Sequence, residues 1–190
     1  MHLKPTYPVE TARLELRPLA HTDIDELLTY RGRADVCRFL PFEPMTRDVL
    51  RARIDADLGR PWITDEGQSL TLGVRVRDSG RLVGDVVLFF RSREDATGEI
   101  GYVFHPDVGG RGYAREACSA LLDLAFHQLG LHRVFARLDS RNEASARLAA
   151  RLGMRREAHF VRSVWAKGEW VDQLVFAVLA EEWAGAVTPG

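Results

Sequence analysis

The feature that most restricts how this chain can fold is a glycine-rich loop, Gly109-Gly110-Arg111-Gly112, set between a strand pattern and a helix pattern. A strand is expected over about Gly98 to Phe104. After the loop, Ala114, Ala117, Leu121, Leu124, Ala125 and Phe126 recur with helical spacing and form one apolar face, which Gly130 closes. A loop with three glycines brings its backbone close to a ligand without Cβ clashes. The unpaired N–H groups of the first helical turn then point into the loop at the positive end of the helix dipole. A diphosphate suits such a seat, and Arg111 and Arg115 could add charge-assisted bonds. The competing reading is a tight strand-to-helix turn that binds nothing. The chain has no GxxxxGK[ST] loop, and Gly110-Arg111-Gly112 does not continue to a glycine at the dinucleotide-fold position.

The remaining pattern places this unit within a larger sheet. Arg13 to Arg17 alternates polar and apolar, and Pro18 ends it. Thr22-Asp23 is expected to cap a helix carrying Ile24, Leu27 and Leu28. A stiff aromatic loop, Phe39 to Pro44, leads to a helix from about Thr46 with Val49, Leu50, Ile54 and Leu58 as its apolar face. Strands follow at Leu70–Val76 and Leu82–Phe90, the second long and apolar and therefore central. Beyond the glycine unit come a strand at Val134–Leu138, a helix at Asn142–Leu152 ending at Gly153, and strands at Ala158–Trp165 and Trp170–Leu179. The expectation is an α/β domain over residues 1–190: one twisted mixed sheet of about seven strands with flanking helices.

Composition narrows the function. A formal charge of -1 over 190 residues provides no basic field for nucleic acid. Cys37 and Cys118 form no CxxC pair, and the six histidines are scattered, so no metal is expected. The N-terminus lacks an apolar signal core and no run of apolar residues is long enough to span a membrane. A cytoplasmic location with reduced thiols is expected.

Several separated segments together resemble the acetyl-CoA-dependent N-acetyltransferases of the GNAT superfamily, in particular the RimJ/RimL branch. They are Glu99-Ile100-Gly101-Tyr102-Val103-Phe104-His105-Pro106-Asp107, Gly110-Arg111-Gly112-Tyr113-Ala114, Gly130-Leu131-His132-Arg133-Val134, Arg141-Asn142-Glu143-Ala144-Ser145, Leu152-Gly153-Met154 and Gly168-Glu169-Trp170-Val171-Asp172. The resemblance spans residues 10–183. It implies a V-shaped opening between two parallel strands, here Glu99–Phe104 and Val134–Leu138. Acetyl-CoA would lie with its diphosphate on the amides of Gly110, Arg111, Gly112, Tyr113 and Ala114, next to Gly109. Its pantetheine arm would run along the strand that carries Val103 and Phe104, one of whose N–H groups would polarise the thioester carbonyl.

The resemblance also implies roles for three polar residues. Glu99 matches the position of a general base, against the alternative of a structural carboxylate. Asn142 would help hold the pantetheine arm, and Ser145 would reach the CoA sulfur and protonate the leaving thiolate; local helix capping competes with both roles. The chain departs from the family pattern at Val108 and Gly109, where an aromatic and an Arg or Gln are common. It also departs at Ala149, where many members carry a general-acid Tyr, and at Val164, near which some members of the branch carry an acid.

On the acceptor side, Phe42, Trp62, Tyr102, Trp165 and Trp170 are candidates for an apolar wall, with Glu169 and Asp172 as polar contacts. The implied activity is acetyl transfer to a primary amine, on a protein N-terminus or a small molecule, by direct attack in a ternary complex. The alternatives are a catalytically silent CoA-binding module and an enzyme for longer acyl chains. The resemblance also implies that the chain could pair with a second copy of itself, since late strands and helix edges in this family often do.

Overall fold

The computed structural model describes residues 1–186; residues 187–190 of the expected domain lie outside the described residues. Eight strands form one sheet: β1 (Val9–Glu10), β2 (Leu14–Pro18), β3 (Ser69–Val76), β4 (Leu82–Ser92), β5 (Thr97–Phe104), β6 (Arg133–Asp139), β7 (Arg155–Ala166) and β8 (Glu169–Leu179). Their spatial order is β1-β2-β3-β4-β5-β6-β8-β7. All neighbours are antiparallel except β5 and β6. The helices are α1 (Ile24–Arg31), α2 (Ala34–Cys37), α3 (Arg47–Arg53), α4 (Tyr113–Asp123), α5 (Glu143–Arg151) and α6 (Ala180–Ala186). The π-turns Ile54–Leu58 and Leu124–Gln128 prolong α3 and α4.

The sequence reading locates seven of the strands and the four longer helices. It misses β1, α2 and α6, which are too short or too close to the chain's end to show a period. Two details differ. Val49 is 46% exposed rather than on the buried face of α3, because the helix turns Leu50 and Ile54 inward instead. Asp23 does not cap α1; its carboxylate turns back to the Ala20 N–H and to Arg17 and Arg75.

The two faces of the sheet are packed differently. On one face Leu14, Leu16, Leu72, Val74, Val86, Leu88, Ile100, Val134 and Phe176 lie in one apolar cluster with Ala117, Cys118, Leu121 and Leu122 of α4 and Ala149 at the end of α5. The other face carries α1 and α3 over a smaller cluster that includes Leu27, Tyr30, Leu50, Ile54 and Val103. This second face also buries charge. Arg31 forks onto Asp85 of β4, and the Tyr30 hydroxyl donates to the same carboxylate at 2.7 Å. Among the described residues, no helix is long and apolar enough to cross a membrane.

Candidate active site

The site originates in the one parallel pair. β5 and β6 are in register only at Thr97↔Arg133, Gly98↔Val134 and Glu99↔Phe135. Beyond Glu99 the strands part, because β6 goes on pairing with β8 as far as Asp139↔Gln173 while β5 stays with β4 as far as Phe104↔Gly84. The gap leaves strand edges that an extended ligand could pair with.

At the mouth of the gap the chain turns through Pro106–Val108 and Gly109 into α4. Gly110 and Gly112 have φ of 78° and 81°, so both occupy the left-handed region that disfavours a side chain. A Cβ on Gly110 would meet nothing within 4 Å, so glycine is required there by backbone conformation alone. The amides of Gly110, Gly112, Tyr113, Ala114 and Arg115 donate to no acceptor among the described residues. These are the unpaired donors that the start of a helix leaves for a ligand.

The loop is braced from behind. Glu116 of α4 accepts from the Thr11 hydroxyl at 2.6 Å and from the Arg13 amide and Nε at 2.8 and 2.7 Å. Arg13 also donates to the Arg111 carbonyl at 2.9 Å, and its guanidinium lies 4.8 Å from the Tyr113 ring centre. Burial alone would raise the Glu116 carboxyl; the bonds from Thr11 and Arg13 outweigh it and hold the group below its ordinary value. Arg111 therefore contributes its carbonyl to this brace and is not in the lining of the cleft.

The cleft itself has a volume of about 650 Å³. It brings together Tyr102, Val103 and Phe104 of β5, Gly109, Gly110, Gly112, Tyr113 and Ala114 of the loop and α4, and Asn142 and Ser145 of α5. Arg115, Arg147 and Arg151 add positive charge to its wall. Asn142 caps α5, its Oδ1 accepting from the Ser145 N–H at 3.1 Å. The Tyr102 hydroxyl donates to the Ser145 carbonyl at 3.1 Å, and burial pushes its pKa up, so it remains a donor. A fourth wall comes from Asp35 and Val36 of α2, with Phe39 and Leu40 of the aromatic loop just beyond it. Arg33 forks onto Asp35 and holds its carboxyl down to about 2.

The other candidate residues lie elsewhere. Glu99 sits where β5 and β6 part, on the side of the sheet that also carries Val103, and is outside the cleft lining. Its Oε1 accepts from Arg137 Nε at 3.0 Å, and its Oε2 from Arg137 Nη2 and Arg91 Nε at 2.8 Å each. Trp62 borders a separate hollow of about 540 Å³ formed with Leu19 and Ile54. Trp165 and Trp170 are cross-strand partners on the β7–β8 hairpin, their rings edge to face at 5.3 Å and both mostly exposed. Phe42 lies under the Arg31 guanidinium, against the smaller apolar cluster. Glu169 accepts from Arg141 at 2.7 Å, and Asp172 pairs with His159. The hairpin tip reaches the cleft's outer wall through Lys167, whose Nζ donates to the Cys37 carbonyl at 2.6 Å.

A mixed sheet with one parted parallel pair, opening beside a helix N-terminus lined with free amides, defines an acyltransferase that draws on a nucleotide-borne acyl group. Known proteins agree. The family described as "Acetyltransferase (GNAT) domain" matches residues 13–155. The uncharacterized N-acetyltransferase YnaD of Bacillus subtilis (strain 168) is 31% identical over 175 residues, covering 92% of this chain and 98% of its own. A solved GNAT-family acetyltransferase from Bacillus anthracis is 29% identical with a TM-score of 0.81, covering 95% of this chain and 99% of its own. Spermidine N-acetyltransferase from Vibrio cholerae, solved with CoA and spermine, shares the fold at 21% identity and a TM-score of 0.78, covering 92% of this chain and 99% of its own. The chain belongs to the GNAT acetyltransferase family, and it is an acetyl-CoA-dependent acyltransferase.

Proposed function

We propose that this chain is a single-domain cytoplasmic enzyme of RimJ/RimL type that acetylates a primary amine, on a protein N-terminus or a small molecule, by direct attack in a ternary complex. The observation that carries this reading is the set of unpaired amides of Gly110, Gly112, Tyr113, Ala114 and Arg115 at the mouth of the β5–β6 gap; the Arg111 amide instead donates to the Val108 carbonyl at 3.4 Å. The residues present fit the ligand: the cleft is large enough for an extended arm, and Arg115, Arg151 and Arg147, the last paired with Glu143, line it and would offer phosphates countercharge.

Acetyl-CoA supplies the acyl group already activated as a thioester. The chain's own part is to position it and to stabilise the charge that develops on the carbonyl oxygen. A backbone N–H at Val103 or Phe104 is the proposed donor to that oxygen. Asn142 steadies the start of α5, so the Ser145 hydroxyl, which has no protein partner among the described side-chain hydrogen bonds, can donate to the leaving sulfur. Glu99 is the proposed acceptor of the amine proton. Its oxygens already take three guanidinium bonds, so accepting the proton requires one of them to give way.

The test is CoA thiol release with acetyl-CoA and a panel of primary amines. Ser145→Ala should lower kcat by about tenfold or more while leaving the KM for acetyl-CoA nearly unchanged; an unaltered kcat would remove Ser145 from the reaction. Glu99→Gln should move the rising limb of the pH–rate profile upward, and a superimposable profile would assign the proton to another acceptor.

A further inference from the structure

The side of the sheet that packs under α1 and α3 carries an unusual arrangement where the parallel strands part. Glu99 of β5 is held between two guanidiniums, Arg91 from the end of β4 and Arg137 from β6. Arg91 lies at the β4 irregularity between Phe90 and Ser92, and Arg137 is two residues past the last β5–β6 register pair. The carboxylate side chain is only 10% exposed, whereas Arg91 and Arg137 are 39% and 44% exposed. Each guanidinium backs onto an aromatic ring of the same face. Arg91 lies 4.5 Å from the Phe89 ring centre and Arg137 5.8 Å from that of Phe135.

Two cations therefore face one buried anion, leaving an excess positive charge at the surface. The neighbouring charges are already paired: Arg133 with Glu157, and Asp139 with Arg141 at 2.7 Å. Neither Arg91 Nη1 nor Arg137 Nη1 contacts Glu99 or any other acceptor among the described residues. Phe89 and Phe135 support these guanidiniums, Phe135 also lying 5.3 Å from that of Arg133, and both guanidiniums remain partly exposed.

We propose that the Nη1 edges of Arg91 and Arg137 form a seat for an anionic group, a carboxylate or phosphate, on the acceptor amine. The proposal rests on the acetyltransferase reading: the pair flanks Glu99, the proposed acceptor of the amine proton, at the point where β5 and β6 part. A planar guanidinium fork suits a planar carboxylate, and a polyamine would meet like charge. The acceptor class is thus an amine bearing an acidic group a short chain away, such as an amino acid side chain or an acidic peptide N-terminus.

The experiment compares ε-aminocaproate with hexamethylenediamine, whose amines are similar in basicity. With acetyl-CoA as donor, kcat/KM should favour the carboxylate by about tenfold or more, the scale of one charge-assisted hydrogen bond. Arg91→Gln, which leaves the Arg137–Glu99 pair in place, and Arg137→Lys, which keeps charge but loses the fork, should each collapse that preference. A second readout needs no turnover. Adipate should bind the CoA-loaded protein by calorimetry, with an affinity weakened about tenfold in Arg91→Gln. Preference for the diamine, or no adipate heat in protein that binds CoA, overturns the anion seat while leaving the acetyltransferase assignment intact. Absence of CoA heat would instead strike at the assignment itself.

Discussion

The two faces of the sheet are assembled from different materials. The face under α4 and α5 is almost wholly apolar, and the ligand seat proposed beside it is made of backbone. The face under α1 and α3 joins a smaller apolar cluster to buried ions: Arg31 with Asp85, and Arg17 and Arg75 with Asp23, with Glu26 joining Arg75 and capping the Leu82 amide. Backbone amides are indifferent to side-chain identity, whereas placed side chains discriminate, and the anion seat proposed at Arg91 and Arg137 lies on the second face.

The comparison breaks most sharply at Asp85. Asp85→Ala would leave Arg31, 4% exposed, without its anion and the Tyr30 hydroxyl without its acceptor. Removing one partner of a buried pair costs about 3–5 kcal/mol. Urea unfolding should show that loss, and a loss under about 1 kcal/mol would mean that the apolar cluster alone carries this face.

The opposite face should respond through affinity rather than stability. Gly112→Val puts a branched side chain at φ of 81°, with its Cβ 3.3 Å from Arg13 Nη2. Strain of about 2 kcal/mol in the binding-competent loop would weaken CoA binding about thirtyfold. Calorimetry that found CoA affinity unchanged would show the seat to be an ordinary turn.

Glu116 joins that seat to the turn between β1 and β2, and its effect should be smaller and pH-dependent. Its folded value lies below the ordinary 4.5, so its bonds stabilise the fold fully above that pH and are lost as pH falls through the depressed value. Glu116→Gln should therefore cost about 1.5 kcal/mol at neutral pH, with the gap from the parent closing on acidification. A pH-independent difference would assign the effect to packing.

How much of this was legible follows the same division. The glycine seat was readable because Gly110 and Gly112 are required by backbone conformation, which is a local property, and the helical period after them is long. The core of the α4 face was readable from strand alternation for the same reason. The ion-paired face was not. The run from Leu82 to Phe90 reads as a buried apolar strand, and Asp85 within it is the one sign that a cation must arrive from elsewhere. That cation, Arg31, is 54 residues away. Glu99 shows the same limit: its position matched a base, but its partners Arg91 and Arg137 become neighbours only once β4, β5 and β6 align. Trp62, Trp165 and Trp170 were read as candidate pocket walls; on the hairpin, two of them meet edge to face and stay mostly exposed instead.

The smallest expected effect is the most discriminating, because two readings of Asn142 predict different ratios. As a helix cap, Asn142 gives one hydrogen bond to the Ser145 amide, and Asn142→Ala should lower stability by about 1 kcal/mol with CoA affinity nearly untouched. As a contact to the pantetheine arm as well, it should lose about tenfold in CoA affinity beyond that. Asn142→Asp separates the two, since a carboxylate caps as well as an amide but offers no N–H. If Asp restores stability and leaves CoA binding weak, the amide nitrogen contacts the ligand. If Asp restores both, Asn142 only shapes the start of α5, and the α4 face holds its cofactor by backbone alone.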